Sequence, residues 1–140
     1  MNRFNVFFDH NCPPAMARMM AGFLSSEKPQ PRSVALSDVM DRRATDVEWI
    51  SWVRDQPGDW IVATENHRIL RVPDERRAFM AAGLRMLVMP KSVLSLPHEK
   101  RCALILWQWP RITRTMSEFD PPLAFEMSPK REGKLRQIGL

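Results

Sequence analysis

Acids that directly follow predicted strands are the residues of this chain best suited to metal-assisted chemistry. Val6–Phe8 is predicted to lie in the first strand, and Asp9 comes immediately after it. Glu65 and Asn66 follow Trp60–Thr64, an apolar segment typical of a central strand. Ligands bind open α/β sheets outside the carboxyl ends of the strands. If these two strands are parallel neighbours, their acids meet at one edge of the sheet.

A second group of acids lies at a predicted helix start. Thr45, Asp46 and Glu48 have the form of a capping box, in which the threonine hydroxyl and the glutamate carboxylate satisfy free amides of the first turn. Two interpretations remain open for Asp46 and Glu48. They stabilise the helix start, an effect of about 0.3–1 kcal/mol for an acid near the positive end of the helix dipole, or they face the acids at the sheet edge.

Acids gathered in this way have a specific chemical use. Mg²⁺ binds carboxylate oxygens and water, and usually only one or two carboxylates contact it directly. A bound ion lowers the pKa of a coordinated water and offsets charge on a phosphodiester during in-line attack. Clustered carboxylates without a cation repel one another, and some are driven towards protonation. The pattern therefore favours a divalent cation site.

The elements that position these acids alternate between strand and helix. Such alternation predicts an α/β fold with a mostly parallel sheet covered on both faces. The other predicted elements are a helix that starts at Pro13-Pro14 and has an apolar stripe from Met16 to Leu24, a strand at Ser33–Ser37, a helix from Thr45, a helix from Pro73 to the Gly83 stop, a strand at Leu84–Met89, a helix around His98–Trp107 and a late edge strand at Leu123–Met127.

Length and composition limit the class of protein. A chain of 140 residues with 44% apolar residues is most simply one globular domain, which we assign to residues 1–128 with a basic tail at 129–140. No apolar run approaches the ~18 residues that cross a bilayer, and no signal peptide is visible. The two cysteines have no metal-ligand spacing. These features predict a cytoplasmic protein with no membrane partner.

The charge is distributed unevenly along the chain. The net charge is +5 overall, −1 over residues 1–59 and +6 over residues 60–140. A basic half beside clustered acids suits an enzyme that holds a polyanion electrostatically. The alternative is an ordinary solvated surface. Arg68 and Arg71, just beyond the third strand, are candidate phosphate contacts under the first interpretation and surface residues under the second.

Three segments, taken in order, are similar to a known family. Asp9-His10-Asn11, Thr45–Ile50 and Trp60–Ile69 resemble the PIN-like domains of VapC-type toxins, and the similarity continues through Gly83-Leu84 and weakly into Trp109-Pro110. That family has an α/β/α fold and contains Mg²⁺- or Mn²⁺-dependent ribonucleases, commonly paired with an antitoxin. The resemblance implies a three-layer α/β/α sandwich, an RNA substrate and a cognate antitoxin. It leaves a homodimer as an open alternative.

The resemblance also implies roles for particular residues. Asp9 matches the first acid of the family and Asp46 matches the acid at the helix start. Where the family usually reads Thr-any-Asp, this chain reads Thr64-Glu65-Asn66. The implied metal ligands are Asp9, Asp46, Glu65 and Asn66, and the implied catalytic residues are Asp9, Asp46 and Glu65.

Two functional hypotheses from different classes follow. The first is a metal-dependent endoribonuclease, the toxin of a toxin–antitoxin pair. The second is a catalytically impaired PIN-like scaffold that binds RNA or a protein partner without cleaving. Its support is Asn66, because an amide is a neutral and poorer Mg²⁺ ligand than a carboxylate. A receiver-like signalling domain ranks last, since its third strand would have to end in a phosphoacceptor aspartate.

Overall fold

The structure is a computed structural model that describes residues 3–65 and 67–140. Within these residues the chain forms six strands and six α-helices. The strands are β1 (Asn5–Phe8), β2 (Ser33–Ala35), β3 (Trp60–Thr64), β4 (Arg85–Val88), β5 (Leu123–Glu126) and β6 (Arg136–Ile138). The helices are α1 (Pro14–Leu24), α2 (Leu36–Val39), α3 (Asp46–Asp55), α4 (Pro73–Ala82), α5 (Lys91–Leu94) and α6 (His98–Ser117), with a 3₁₀ turn at His67–Leu70.

One six-stranded sheet organises the fold, in the order β2-β1-β3-β4-β5-β6. The first five strands are parallel, and β6 pairs antiparallel with β5. The predicted neighbourhood of the first and third strands is confirmed, since Phe8 of β1 aligns with Ala63 of β3. All five residues of β3 are buried, as expected for a strand with partners on both sides.

Helices cover both faces of the sheet, so the predicted three-layer α/β/α sandwich is confirmed. Strand side chains alternate between the faces. Val6 and Phe8 join the core under α1 and α6. Phe7 joins the core under α3 and α4, where its ring lies 5.4 Å from that of Trp49. Both layers are needed to bury the central strands.

The local signals at two helix ends act as the sequence indicates. At the start of α3, the Glu48 amide donates to the Thr45 hydroxyl at 3.2 Å, and the Thr45 amide donates to the Glu48 carboxylate at 3.3 Å. The capping box is therefore present. At the end of α4, Gly83 adopts a φ of 64°, a left-handed conformation that residues with a side chain adopt only at a steric cost.

Two predicted boundaries are wrong. Residues 36–39 form the short helix α2 rather than continuing the strand to Ser37. The last helix continues ten residues beyond Trp107 to Ser117 and contains Pro110. A proline inside a helix costs about 3 kcal/mol. Trp109, Ile112 and Met116 are buried against the sheet, and that burial stabilises the second half of α6.

The prediction that Leu123–Met127 forms an edge strand is also wrong. β5 has β4 on one side and β6 on the other. The partner strand β6 comes from the basic C-terminal residues, whose polar sequence gives no strand signal.

In the described part of the chain, no helix combines the length and the apolar character needed to span a bilayer.

Candidate active site

The candidate site lies where the direction of the chain across the sheet reverses. From β1 the chain passes through α1 to β2 on one side, and then crosses back to β3 on the other side of β1. This reversal leaves a crevice between the carboxyl ends of β1 and β3, the usual ligand position in open α/β sheets. Asp9 follows β1 and Glu65 follows β3. The structure therefore brings these two predicted residues to one place.

Asp9 is held firmly in this crevice. Its side chain is buried, with only 1% of the residue exposed. One carboxylate oxygen accepts a hydrogen bond from the backbone amide of Asn11 at 3.1 Å. The other accepts a hydrogen bond from the hydroxyl of Thr64, the last residue of β3. Because a backbone amide holds one oxygen and a buried strand hydroxyl holds the other, the direction of the carboxylate is set before any ligand arrives.

Burial raises the pKa of the Asp9 carboxyl above its ordinary value of 3.8. The hydrogen bonds from Thr64 and Asn11 and the charge of His10 oppose this rise, whereas the Asp46 carboxylate adds to it. The carboxylates of Asp9 and Asp46 are thus close enough to repel each other. Such mutual repulsion is the electrostatic condition that a bound cation relieves.

Asp46 is the first residue of α3 and is distinct in role from Glu48. The indole nitrogen of Trp49 donates to Asp46 Oδ1 at 2.8 Å and orients its carboxylate. Glu48 is exposed and bound to Thr45. The helix-start interpretation is therefore correct for Glu48, while Asp46 also faces the carboxylates of the crevice.

Glu75 is a further acid of this region. It lies in the first turn of α4, and its Oε2 is buried without a hydrogen-bond partner among the described residues. Burial raises the pKa of the Glu75 carboxyl. The negative charge of the neighbouring Asp46 raises it further, and the positive charge of Arg68 lowers it. A buried carboxyl oxygen without a donor is costly, and a cation is one way to satisfy it.

Glu65 contacts a cation from another element. Its carboxylate lies 3.4 Å from Nη1 of Arg101 on α6, and both side chains are largely buried, with 14% and 18% exposed. Burial raises the pKa of the Glu65 carboxyl, Arg101 lowers it, and Asp9 raises it. Glu65 therefore lies between the acid of β1 and an arginine of α6.

Two adjacent cavities open beside these groups and share His10. One has a volume of about 490 Å³ and is lined by His10, Asn11, Glu65, Arg68 and Leu94. The other, of about 260 Å³, has Asp9, Cys12 and Arg42 among its lining residues. The larger volume is within the range of small-molecule sites, about 300–1,000 Å³. Acidic and basic side chains together line this space.

The fit of a divalent cation depends on the donors present. Within residues 3–65 and 67–140, no group of three or more His, Cys, Asp or Glu side chains is arranged to hold a metal ion. Asn66, an implied ligand, lies outside the described residues. The chemistry of the donors nevertheless fits Mg²⁺, which needs only one or two direct carboxylates and keeps several waters. Asp46 and the partnerless oxygen of Glu75 provide such a pair.

The two candidate phosphate contacts occupy different places. Arg68 lines the 490 Å³ cavity beside Glu65. Arg71 lines a separate cavity of about 320 Å³ together with Arg136 and Gln137 of β6. The structure thus places Arg68 next to the acids and Arg71 away from them.

Glu75 and Arg101 are site residues that the sequence motifs do not predict, although both leave a signal in the sequence. Glu75 precedes the buried Phe79 by four residues, and Arg101 precedes the buried Ile105 by four. Residues four apart share a helix face. A charged residue on the apolar face of a helix has to find a partner inside the fold. Here Glu75 lies near Asp46, and Arg101 pairs with Glu65.

One comparison with known proteins gives a match. A family model described as a PIN-like domain matches residues 4–91. The matched segment runs from β1 to the start of α5 and contains Asp9, Asp46, Glu65 and Glu75. Neither the curated proteins nor the solved structures include a significant match.

Proposed function

The chain belongs to the PIN-like domain family, and from that membership we propose that it is a Mg²⁺- or Mn²⁺-dependent endoribonuclease. One observation carries the proposal. Asp9 and Glu65 follow the neighbouring strands β1 and β3, and Asp46 and Glu75 lie at the starts of α3 and α4. At the crevice of the sheet, Asp46 raises the pKa of Asp9 and of Glu75, and Asp9 raises that of Glu65. Holding repelling acids together destabilises the fold, and a bound cation explains why they are kept.

The residues that would hold the ion are Asp9, Asp46, Glu65 and Asn66, joined by Glu75. When bound, the ion would activate water and offset phosphodiester charge. Thr64 and the Asn11 amide keep the Asp9 carboxylate in one orientation, and Trp49 does the same for Asp46. These supports reduce the reorganisation needed when the substrate binds.

Basic side chains would hold the RNA next to these acids. Arg68 lines the 490 Å³ cavity and provides a positive charge beside Glu65. Arg71 would contact a part of the RNA further from the acids, since it lines another cavity. The charge of +6 over residues 60–140 would attract the polyanion from a distance.

The biological role that we propose is that of a toxin neutralised by a cognate antitoxin protein in the cytoplasm. Its support is the resemblance of Asp9-His10-Asn11, Thr45–Ile50 and Trp60–Ile69 to VapC-type toxins. Induced expression in a bacterium is expected to arrest growth, and the Asp9→Asn variant is not. Growth arrest by Asp9→Asn as well as by the wild type would contradict a toxin role based on cleavage.

A second candidate function is a PIN-like scaffold that binds RNA or a protein partner without cleavage. Its support is that the described residues contain no group of three metal-ligating side chains. The Asp9 oxygens already accept hydrogen bonds, and Glu65 is paired with Arg101. Such a protein would keep its affinity for RNA and leave the RNA intact.

Cleavage of a mixed RNA pool tests the two candidates directly. The purified protein, freed of any antitoxin, is incubated with Mn²⁺, Mg²⁺ or EDTA. We expect cleavage with either metal and none with EDTA. Asp9→Asn and Glu75→Gln are each expected to reduce cleavage at least about 100-fold, because each removes a negative oxygen from the site.

Asp74→Asn is the matched control for Glu75→Gln. Asp74 precedes Glu75 on α4, is exposed and pairs with Arg77, so its loss is expected to leave cleavage unchanged. Equal losses in the Asp74 and Glu75 variants would show that the effect comes from α4 as a whole. Binding of RNA by the wild-type protein without cleavage in Mn²⁺ would favour the scaffold.

A further inference from the structure

Arg101 is a largely enclosed cation with few of its hydrogen bonds satisfied. A guanidinium group has five N–H donors. Here the hydrogen bond found for it is the one from Nη1 to Glu65 Oε1, and at 3.4 Å it is long. The Nε–H is buried without a partner among the described residues. Since unsatisfied buried donors are costly, most of all on a charged group, the resting structure leaves Arg101 with unused binding capacity.

The packing of α6 helps to place Arg101, in addition to its pairing with Glu65. Arg101 lies in the first turn of α6, on the face that buries Leu104 and Ile105 against the sheet. The packing of this face directs the side chain to the carboxyl end of β3. Arg101 therefore reaches the crevice from the side opposite α3 and α4, where Asp46 and Glu75 lie.

The groups around Arg101 are mainly acidic. Its charge lowers the pKa of the Glu65 carboxyl, and Asp9 acts on the same carboxyl. Glu65 also lines the 490 Å³ cavity with Arg68. A ligand in that cavity would thus meet Arg68 of the 3₁₀ turn. It would also lie close to Arg101 of α6, which is on the other side of Glu65.

We propose that Arg101 binds a phosphate of the RNA backbone and that Glu65 is its resting partner, displaced or shared when RNA enters the crevice. This inference rests on the proposed function in taking RNA as the ligand. A phosphate presents two oxygens in the plane of the guanidinium fork and accepts two parallel hydrogen bonds. The exchange replaces one long hydrogen bond to Glu65 with a bidentate contact.

A purely structural ion pair makes a different prediction from a phosphate contact. If Arg101 and Glu65 only support each other, removal of either one damages the fold, and RNA affinity falls in both variants. If Glu65 competes with RNA for Arg101, removal of Arg101 weakens binding and removal of Glu65 strengthens it. The opposite signs of the two effects separate the explanations.

The test measures binding of a fluorescent single-stranded RNA by anisotropy, in EDTA so that neither cleavage nor metal ligation contributes. Arg101→Gln is expected to weaken binding roughly tenfold, as for the loss of a charge-assisted hydrogen bond. It is also expected to reduce the dependence of log affinity on log salt by about one unit. Glu65→Gln is expected to tighten binding severalfold. Arg101→Lys, which keeps the charge without the fork, is expected to fall between wild type and Arg101→Gln.

Arg114→Gln is the matched control, because Arg114 is an exposed arginine near the far end of the same helix. It is expected to bind RNA within about twofold of wild type. The proposal is overturned if Arg101→Gln also binds within twofold, or if Glu65→Gln weakens binding. Should Arg101→Gln fail to fold, the same decision rests on Arg101→Lys and Glu65→Gln.

The outcomes also separate this proposal from the nuclease function. A wild-type protein that binds RNA through Arg101 but does not cut it in Mn²⁺ overturns the nuclease and leaves the phosphate contact standing. Cleavage with unchanged binding by Arg101→Gln supports the nuclease and overturns the contact. A wild-type protein with no affinity for RNA overturns both.

Discussion

At the scale of single residues, the crevice is built from acids that the fold holds at an energetic cost. Burial raises the pKa of Asp9, Glu65 and Glu75. A carboxyl whose pKa is higher in the folded than in the unfolded state binds more protons when folded. Its stability contribution is therefore most favourable at low pH and is lost as the pH rises through the folded pKa. These acids make the fold weaker at neutral pH than neutral side chains would.

The Asp9→Asn variant tests this cost. Asparagine keeps the shape. Its Oδ1 can accept from the Asn11 amide and its Nδ2 can donate to the Thr64 hydroxyl, so both contacts can be kept, but it has no charge to desolvate. We expect its Tm in EDTA to equal or exceed that of the wild type at about pH 8. The difference is expected to vanish as the pH falls below about 4, the ordinary carboxyl range. Thermal unfolding across this pH range measures it.

A contrary result has a clear meaning for Asp9. If Asp9→Asn is less stable than the wild type at neutral pH, the hydrogen bonds to the charged carboxylate outweigh its desolvation, and Asp9 is structural. Asp55→Asn provides a control for the loss of one negative charge, since Asp55 is an exposed residue at the end of α3 paired with Arg54.

At the scale of elements, the starts of three helices position the side chains of the site. Asp46 opens α3, Glu75 lies in the first turn of α4 and Arg101 lies in the first turn of α6. A side chain in a first turn can reach the strand ends without crossing the sheet. The stability of these turns thus determines how precisely the acids and the arginine are held.

The capping box of α3 allows this dependence to be measured. Thr45→Ala removes the hydroxyl that accepts from the Glu48 amide and is expected to lower the free energy of unfolding by about 1 kcal/mol. Ser51→Ala, in the middle of the same helix, is the control, because alanine there favours the helix. Urea denaturation of both variants gives the values. Equal stability of Thr45→Ala and the wild type would mean that the cap contributes nothing to α3.

At the scale of the whole molecule, the part of the chain beyond the family match completes the fold. Residues 92–140 contain α6, β5 and β6. α6 covers one face of the sheet, and β5 and β6 extend it. Between the last two strands, residues 128–134 are attached to α6. The side chain of Gln108 donates to the carbonyls of Ser128 and Lys130, and Arg111 donates to those of Arg131 and Gly133.

Gln108→Leu tests how this segment is attached. The change removes two hydrogen bonds of 2.8 and 2.9 Å, but it also removes Gln108 Oε1, which is buried without a partner among the described residues. Because these effects oppose each other, the free energy of unfolding is expected to change by about 1 kcal/mol or less. Trypsin cleavage after Lys130, Arg131 and Lys134 is expected to accelerate severalfold, as followed by mass spectrometry.

The rate of trypsin cleavage in this segment gives the decisive comparison. Arg114→Gln, on the same helix but outside this contact, is expected to show the wild-type rate. An unchanged rate in Gln108→Leu would mean that the contacts of Trp107 and Arg111 suffice to keep the segment in place.

The sequence predicted those parts of the fold and site that depend on local patterns. The apolar segments at Val6–Phe8 and Trp60–Thr64 are each followed by an acid, and the structure confirms that they are neighbouring strands. Asp9 and Glu65, which follow these strands, meet at the crevice of the sheet. The Thr45–Glu48 capping box and the helix end at Gly83 were also predicted from the sequence, because each depends on the residues of a single turn.

What only the tertiary structure decided depends on contacts between distant segments. Glu75 and Arg101 looked like ordinary helix acids and bases, and only the packing of α4 and α6 on opposite faces of the sheet directs them to the same crevice. Pro110 remained inside a helix because burial of Trp109 and Ile112 outweighs the lost hydrogen bond. The polar residues of β6 became a strand because β5 offered an unpaired edge. Local propensity determined where elements begin, and burial between elements determined which charges meet.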